Sequence, residues 1–307
     1  MTEDSAFFDL RDDSRVSFGR PECIHRSEKG WTELYRVERD GRFRVLKAIQ
    51  ADKRGQQRYE ALLRKEYEIG YSLDHPAIRS VYSFGHSEAF GHYIEMEWVD
   101  GCSLSDYLAS CRPDTATSRK LLLQLCEALS YLHARQIIHR DLKPSNIIVT
   151  YNGLNVKLID FGLSDADSYA VLKAAAGTAS YAAPELLRGE PVDSRADIWS
   201  LGMIIALLLP SRRGVIRRCT AEDRNRRYRD AVSVAAALRK RPAGWIVATA
   251  VMAVAASLLF LLPSRAPVQE PVTGIEPEGP ESVISDPAAI DELFRQATEM
   301  ILSEEDQ

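Results

Sequence analysis

His139-Arg140-Asp141-Leu142-Lys143-Pro144-Ser145-Asn146 lies near the middle of a chain of 307 residues, with Asp160-Phe161-Gly162 and Ala183-Pro184-Glu185 following it. The first stretch sets a carboxylate, an ammonium two residues later and a carboxamide five residues later. The second adds another carboxylate directly before Phe-Gly. These are the side chains that moving a phosphoryl group requires: oxygen ligands for a hard divalent cation, positive charge for the transferred group, and an acid to align a hydroxyl nucleophile.

In order and spacing the three motifs resemble the signature set of the eukaryotic-type (Hanks-type) protein kinases. The likeness runs from about Phe18 to about Leu238. It implies an α+β, two-lobed protein kinase fold within residues 18–240, with a small β-rich N-lobe over 18–97 and a mainly helical C-lobe over 98–240. It also implies roles. Asp141 would accept a hydrogen bond from the substrate hydroxyl and act as base, and Lys143 would neutralise the γ-phosphate as a point charge. Asn146 and Asp160 would supply oxygen to Mg²⁺, with Mn²⁺ as a substitute. His139 and Phe161 read as packing residues, and Arg140 as a clamp for a phosphorylated activation segment. A lysine two residues after the acid is similar to the serine/threonine branch of the family.

Upstream, Phe43-Arg44-Val45-Leu46-Lys47-Ala48-Ile49 alternates with period two and reads as a strand. Its Lys47 matches the family's phosphate-pairing lysine. The segment from Glu60 to Leu73 is amphipathic at helical spacing and turns Glu66 toward its apolar side, with Glu68 facing solvent. A buried Glu66 needs a partner, and Lys47 matches the family's ion pair. Tyr93 to Gly101 resembles the strand and hinge between the lobes, so Met96 would guard the adenine pocket and the backbone of Glu97 and Val99 would bind the adenine edge.

The phosphate loop departs from the family. Where kinases carry three glycines that let backbone N–H groups approach the phosphates, this chain has Ser27, Lys29 and Thr32, with Gly30 between the last two. Such a loop is expected to be stiffer and to lie farther from the phosphates. Lys29 is either a compensating charge or a solvated loop residue.

The activation segment would run from Asp160 to Glu185 and carries Ser164, Ser168, Tyr169, Thr178 and Ser180 as hydroxyls open to phosphorylation. Gly177-Thr178 before Ala183-Pro184-Glu185 is similar to kinases acting on proteins, where the threonine touches the catalytic acid and lysine. Asp197 is expected to brace the catalytic loop from a buried helix, and Glu185 to pair with Arg227 or its neighbour Arg226. Only residues 210–218 separate that helix from a second helix expected over Cys219 to Tyr228, so a trimmed C-lobe is expected.

The five cysteines are scattered, with no Cys-x-x-Cys spacing, which argues against a zinc site or a disulfide framework. Residues 1–17 are an acidic N-terminal extension, unlike a basic signal peptide. Residues 263–307 hold eleven acids against Arg265 and Arg295, net −9, so residues 1–262 carry −5 − (−9) = +4.

Residues 244–262 form an uncharged apolar run of 19, about 29 Å long as a helix against a hydrocarbon core of about 30 Å. They predict one transmembrane helix within residues 243–263. Arg239, Lys240 and Arg241 precede it, so the kinase region is expected in the cytoplasm and residues 264–307 outside. That tail is acidic and proline-rich. It carries helical periodicity over 287–303 behind an Asp286-Pro287 start, and is either a docking helix or disordered.

The reading is a single-pass inner-membrane serine/threonine protein kinase using ATP and Mg²⁺ on a protein substrate, resembling bacterial receptor-like kinases. It would self-associate for autophosphorylation and bind no nucleic acid. A pseudokinase scaffold is the rival that the phosphate loop favours and Lys47, Glu66, Asp141, Asn146 and Asp160 oppose. A small-molecule kinase is opposed by the segment around Gly177-Thr178.

Overall fold

The computed structural model describes residues 20–27, 30–161 and 179–240. Five strands open the chain: β1 (Glu22–Arg26), β2 (Thr32–Arg39), β3 (Arg42–Ile49), β4 (Val81–Ser87) and β5 (Gly91–Glu97). They pair antiparallel in the order β1-β2-β3-β5-β4. Asp40 and Gly41 join β2 to β3 with φ of +53° and +70°, the left-handed pair a two-residue hairpin needs. Both faces of β3 are covered. Val45 and Ile49 pack with Leu63 of the helix α1 (Gln57–Tyr71), while Leu46 and Ala48 pack with Val37, Phe90 and Tyr93.

Helix α1 begins three residues before the expected start and ends two before the expected end. Its buried residues are Leu63, Glu66 and Gly70, and Glu68 is exposed, as its periodicity requires. At Gly70 a Cβ would come within 2.6 Å of Val81 Cγ2, so the glycine sets how closely α1 lies on β4.

Past the hinge the fold is mainly helical. A three-stranded sheet of β6 (Gly101–Ser103), β7 (Ile147–Thr150) and β8 (Val156–Leu158) carries the catalytic motifs at its ends. Helices α2 (Leu104–Ser110) and α3 (Thr115–Ala134) are capped by Ser103 and Asp114, whose side chains accept from Asp106 N and Thr117 N. Helices α4 (Pro184–Arg188), α5 (Arg195–Leu208), α6 (Arg213–Cys219) and α7 (Ala231–Arg239) follow. Helix α5 is apolar around most of its circumference and accordingly runs through the core against α3 and α6, while α7 packs on α3.

The expectation for residues 210–218 needs correction. They are not a bare connection, because Arg213–Cys219 form α6 and fold back onto α5. Gly202 makes this fit, since a Cβ there would lie 2.5 Å from Cys219 Cβ. Cys219 to Tyr228 is correspondingly not a helix. It holds one turn of 3-10 helix at Arg224–Arg226.

Several expectations fall outside the described residues: the extension 1–17, Lys29, Gly162, Ser164, Ser168, Tyr169, Gly177, Thr178, the apolar run 244–262 and the tail 264–307 with its segment 287–303. Among the described residues no helix is long and apolar enough to cross a membrane.

Candidate active site

Lys47 stands opposite Leu34 on β2 and Ile94 on β5, on the sheet face that α1 covers. Its Nζ donates to Glu66 Oε1 at 2.6 Å and to Asp160 Oδ1 at 2.9 Å. One ammonium thus ties strand, helix and the Asp160-Phe161 segment together. Burial works against the charged lysine, yet Asp160 and Glu66 outweigh it and hold its pKa above the ordinary value. Burial pushes the Glu66 carboxyl up, with Lys47 opposing. Glu66 Oε2 is buried and has no hydrogen-bond partner among the described residues.

The loop from His139 to Asn146 hangs from Asp197, which is fully buried at the start of α5. Its Oδ2 accepts from His139 N at 2.9 Å and its Oδ1 from Arg140 N at 2.9 Å. His133 Nε2 lies 2.8 Å from Oδ2, and a carboxylate that only accepts makes this nitrogen the protonated one. Burial alone would raise the Asp197 pKa. The bond to His133, with the nearby imidazoles and the His139 amide, brings it below the usual carboxylate range.

Arg140 is held at φ +62°, a left-handed conformation that strains a residue with a side chain. Asn146 Nδ2 donates to Asp141 Oδ2 and to Asp141 O, both at 2.8 Å, and Lys143 Nζ lies 2.9 Å from Oδ2. Asp141, Lys143 and Asn146 therefore form one connected set. Ile159 N donates to Asn146 O at 3.0 Å, setting Asp160 beside this loop, and Asp160 itself is left-handed at φ +67°. His139 is fully buried and its ring lies 5.5 Å from that of Phe161, so both pack as expected.

Met96 and Val99 are buried at the hinge. Glu97 N donates to Ser80 O at 2.9 Å, while Glu97 Oε2 accepts from Lys157 Nζ at 2.8 Å and from Ser80 N at 3.0 Å. Of the two backbone groups of Glu97, the N–H is therefore already engaged.

The phosphate loop has its own anchors. Gln50 Nε2 donates to Ser27 O at 2.6 Å, Gln50 N donates to Trp31 O at 2.9 Å, and Ser27 N reaches Thr32 O at 3.3 Å. A Cβ at Gly30 would come within 2.2 Å of Ser27 Oγ, so only glycine fits there. Trp31 is nearly buried and stacks on Tyr59 of α1, with ring centres 5.5 Å apart and planes at 19°. Sequence reasoning missed Gln50, Trp31 and Tyr59. The available signal was a large aromatic beside a glycine in a loop, which has no exposed use.

At the far end of the lobe Arg227 donates to Glu185 through Nη1 at 2.6 Å and Nη2 at 2.8 Å, a bidentate pair with both side chains buried. The open choice between Arg226 and Arg227 falls to Arg227, since Arg226 is exposed. Arg79 was also missed. It interrupts the apolar run Ala77-Ile78-x-x-Val81 and is buried.

Residues 29–244 match the Protein kinase domain family. The serine/threonine-protein kinase PknB of Mycolicibacterium smegmatis is 37% identical over 174 residues, 54% of this chain and 28% of that protein. The serine/threonine-protein kinase PrkC of Bacillus subtilis is 32% identical over 172 residues, 55% of this chain and 26% of that protein. The chain thus spans under a third of the length of these relatives. The crystal structure of the Mycobacterium tuberculosis PknI kinase domain superposes with a TM-score of 0.57 at 25% identity, covering 73% of this chain and 97% of that one.

Proposed function

Because the chain belongs to the protein kinase family, we propose that it transfers the γ-phosphate of ATP to serine or threonine hydroxyls of proteins. The observation that carries this reading is the joined set Lys47–Glu66–Asp160 and Asp141–Lys143–Asn146, which puts an acceptor, two cations and two oxygen donors in one cleft. Asp141 aligns the substrate hydroxyl and takes its proton. Lys143 and Lys47 meet the phosphates from two sides. The carbonyl of Glu97 and the N–H of Val99 face the adenine edge.

The donor chemistry fits Mg²⁺. Asn146 spends its amide nitrogen on Asp141, which leaves the amide oxygen for a cation, and Asp160 adds a carboxylate. Bound Mg²⁺, or Mn²⁺ in its place, would neutralise the charge of the phosphates. Transfer of radiolabel from ATP to a protein acceptor, with and without Mg²⁺, tests the reading. No Mg²⁺-dependent transfer to any acceptor, including the chain itself, would sink it.

The pseudokinase scaffold is the weaker reading, because Gln50 holds Ser27 and Tyr59 holds Trp31 without a glycine at Ser27 or Thr32. Restoring glycine at Ser27, Lys29 and Thr32 is expected to cost roughly 0.5–1 kcal/mol of stability for each glycine placed in regular structure. It should shift ATP affinity while leaving transfer intact. Equilibrium unfolding and ATP titration measure the two. A wild-type chain that is inert and a glycine-restored one that transfers phosphate would favour the scaffold.

We further propose a single-pass inner-membrane protein, anchored by residues 244–262 with the kinase domain in the cytoplasm and the tail outside, as the flanking basic trio requires. Self-association at the membrane would allow autophosphorylation. The full chain is expected to sediment with membranes and to resist carbonate and high salt, because burial of an apolar helix is insensitive to surface charge. A reporter fused after Gln307 should read as exported. Recovery in the soluble fraction, or a cytoplasmic reporter signal, would overturn the topology alone.

A further inference from the structure

Arg213 and Arg217 stand one turn apart on α6, both exposed, and neither forms an ion pair among the described residues. Like charges at this spacing repel on a helix, so their placement needs a reason. The start of α6 is fastened to the end of α7. Arg212 donates through Nη1 to Lys240 O at 2.8 Å and through Nη2 to Leu238 O at 3.1 Å. Arg119 of α3 lies near the same point, since burial first, and then the charge of Arg119, hold the Arg212 pKa below its ordinary value. Arg119, Arg212, Arg213 and Lys240 thus gather at one end of the C-lobe, with Arg217 a turn further along.

Little counter-charge reaches that end. The helices packed there, α3, α5, α6 and α7, contain only the acids Glu127 and Asp197. Asp197 is fully buried, and Glu127 already lies 3.6 Å from Arg239. Asp114, the cap of α3, is spent on Thr117 N. This is also the end from which the chain leaves for the apolar run, because only Arg241, Pro242 and Ala243 separate Lys240 from Gly244. Four steps of extended chain reach at most about 14 Å. With that run as the anchor, headgroups fill about the first 5 Å of this distance, which leaves Lys240 within about 9 Å of them, close to the Debye length of about 8 Å.

Building on the proposed membrane anchor, we propose that Arg212, Arg213, Arg217 and Lys240 form a docking surface for the anionic phospholipid headgroups of the cytoplasmic leaflet. The C-lobe then rests with the start of α6 against the membrane and does not tumble freely on its tether. Headgroup phosphates supply the charge that the fold withholds from Arg213 and Arg217, and a guanidinium can take a phosphate with two parallel hydrogen bonds. The short tether holds the surface at high effective concentration, so individually weak contacts suffice.

The test is arginine modification by phenylglyoxal, mapped by mass spectrometry, on the full-length protein reconstituted into nanodiscs. One set of discs is pure phosphatidylcholine, and the other is equal parts phosphatidylcholine and phosphatidylglycerol. Arg213 and Arg217 are expected to react about fivefold more slowly in the anionic discs. The difference should vanish at about 1 M salt, where the Debye length falls to about 3 Å. Arg42, exposed where β3 leaves the β2–β3 hairpin, should react alike in both discs. A slowing that Arg42 shares to the same degree, or one that persists undiminished in high salt, would overturn the proposal. A chain that inserts into both discs yet shows equal rates at Arg213 and Arg217 overturns this surface and leaves the anchor standing. One that inserts into neither overturns the anchor, and the surface falls with it.

Discussion

Asp141→Asn is expected to lower phosphoryl transfer by roughly 10²–10⁴, the usual contribution of a positioned acid–base group, while leaving ATP binding nearly unchanged. The reason is geometric. Asp141 Oδ2 already accepts from Asn146 Nδ2 and lies against Lys143 Nζ, so the carboxylate is held from one side and offers Oδ1 to a substrate hydroxyl. An amide keeps the shape but loses the basicity, and its NH₂ group confronts other donors if it faces Asn146 or Lys143. None of these atoms is needed to hold adenine at the hinge or phosphate at Lys47. Radiolabel transfer and equilibrium ATP binding, measured on the same preparation, separate the two effects. Wild-type transfer rates in the variant would remove Asp141 from the mechanism.

Arg227→Met is expected to cost about 3–5 kcal/mol of stability, because it leaves Glu185 buried without its counter-charge. Arg226→Met, one position away and exposed, should fall within about 0.5 kcal/mol of wild type. Urea unfolding of the two variants compares them directly, and equal effects would discount the pairing. The pH dependence has a definite sign. Burial raises the Glu185 pKa, but the bonds from Arg227 outweigh it and hold the carboxyl below its ordinary value. The stability this contributes is present above the unfolded-state pKa and lost as pH falls through the folded-state value. In Arg227→Met that acid-side loss should shrink or reverse, since an unpaired buried carboxylate gains by taking a proton.

What could be read from the sequence was chemistry that depends on spacing within one element. Lys47 on β3, Glu66 on α1 and the loop from His139 to Asn146 each carried a period or a fixed offset, and the structure brings them together. The partner of Glu185 stayed ambiguous because Arg226 and Arg227 are adjacent outside any periodic segment, where no helical or strand phase says which one turns inward. Helix α6 was missed for a related reason. It is short, rich in arginine and contains Gly214, and it forms by packing on α5 at Gly202 rather than from its own propensity. The phosphate loop was legible only as a deviation. That Gln50 would anchor Ser27 and Tyr59 would stack on Trp31 required knowing that the end of β3 and the start of α1 lie beside it.

Asp197 has a consequence for how the protein fails on heating. Its carboxylate is fully buried in α5, the helix at the centre of the lower core, and both oxygens are spent on the backbone immediately before Asp141. The catalytic loop is therefore not a peripheral segment able to melt while the lobe persists. Releasing it means withdrawing two amides from a carboxylate that has no water to replace them, and loosening α5 disorganises the loop in the same event. Thermal inactivation should accordingly coincide with the cooperative unfolding transition instead of preceding it, and the two should shift together in any variant of the lower core.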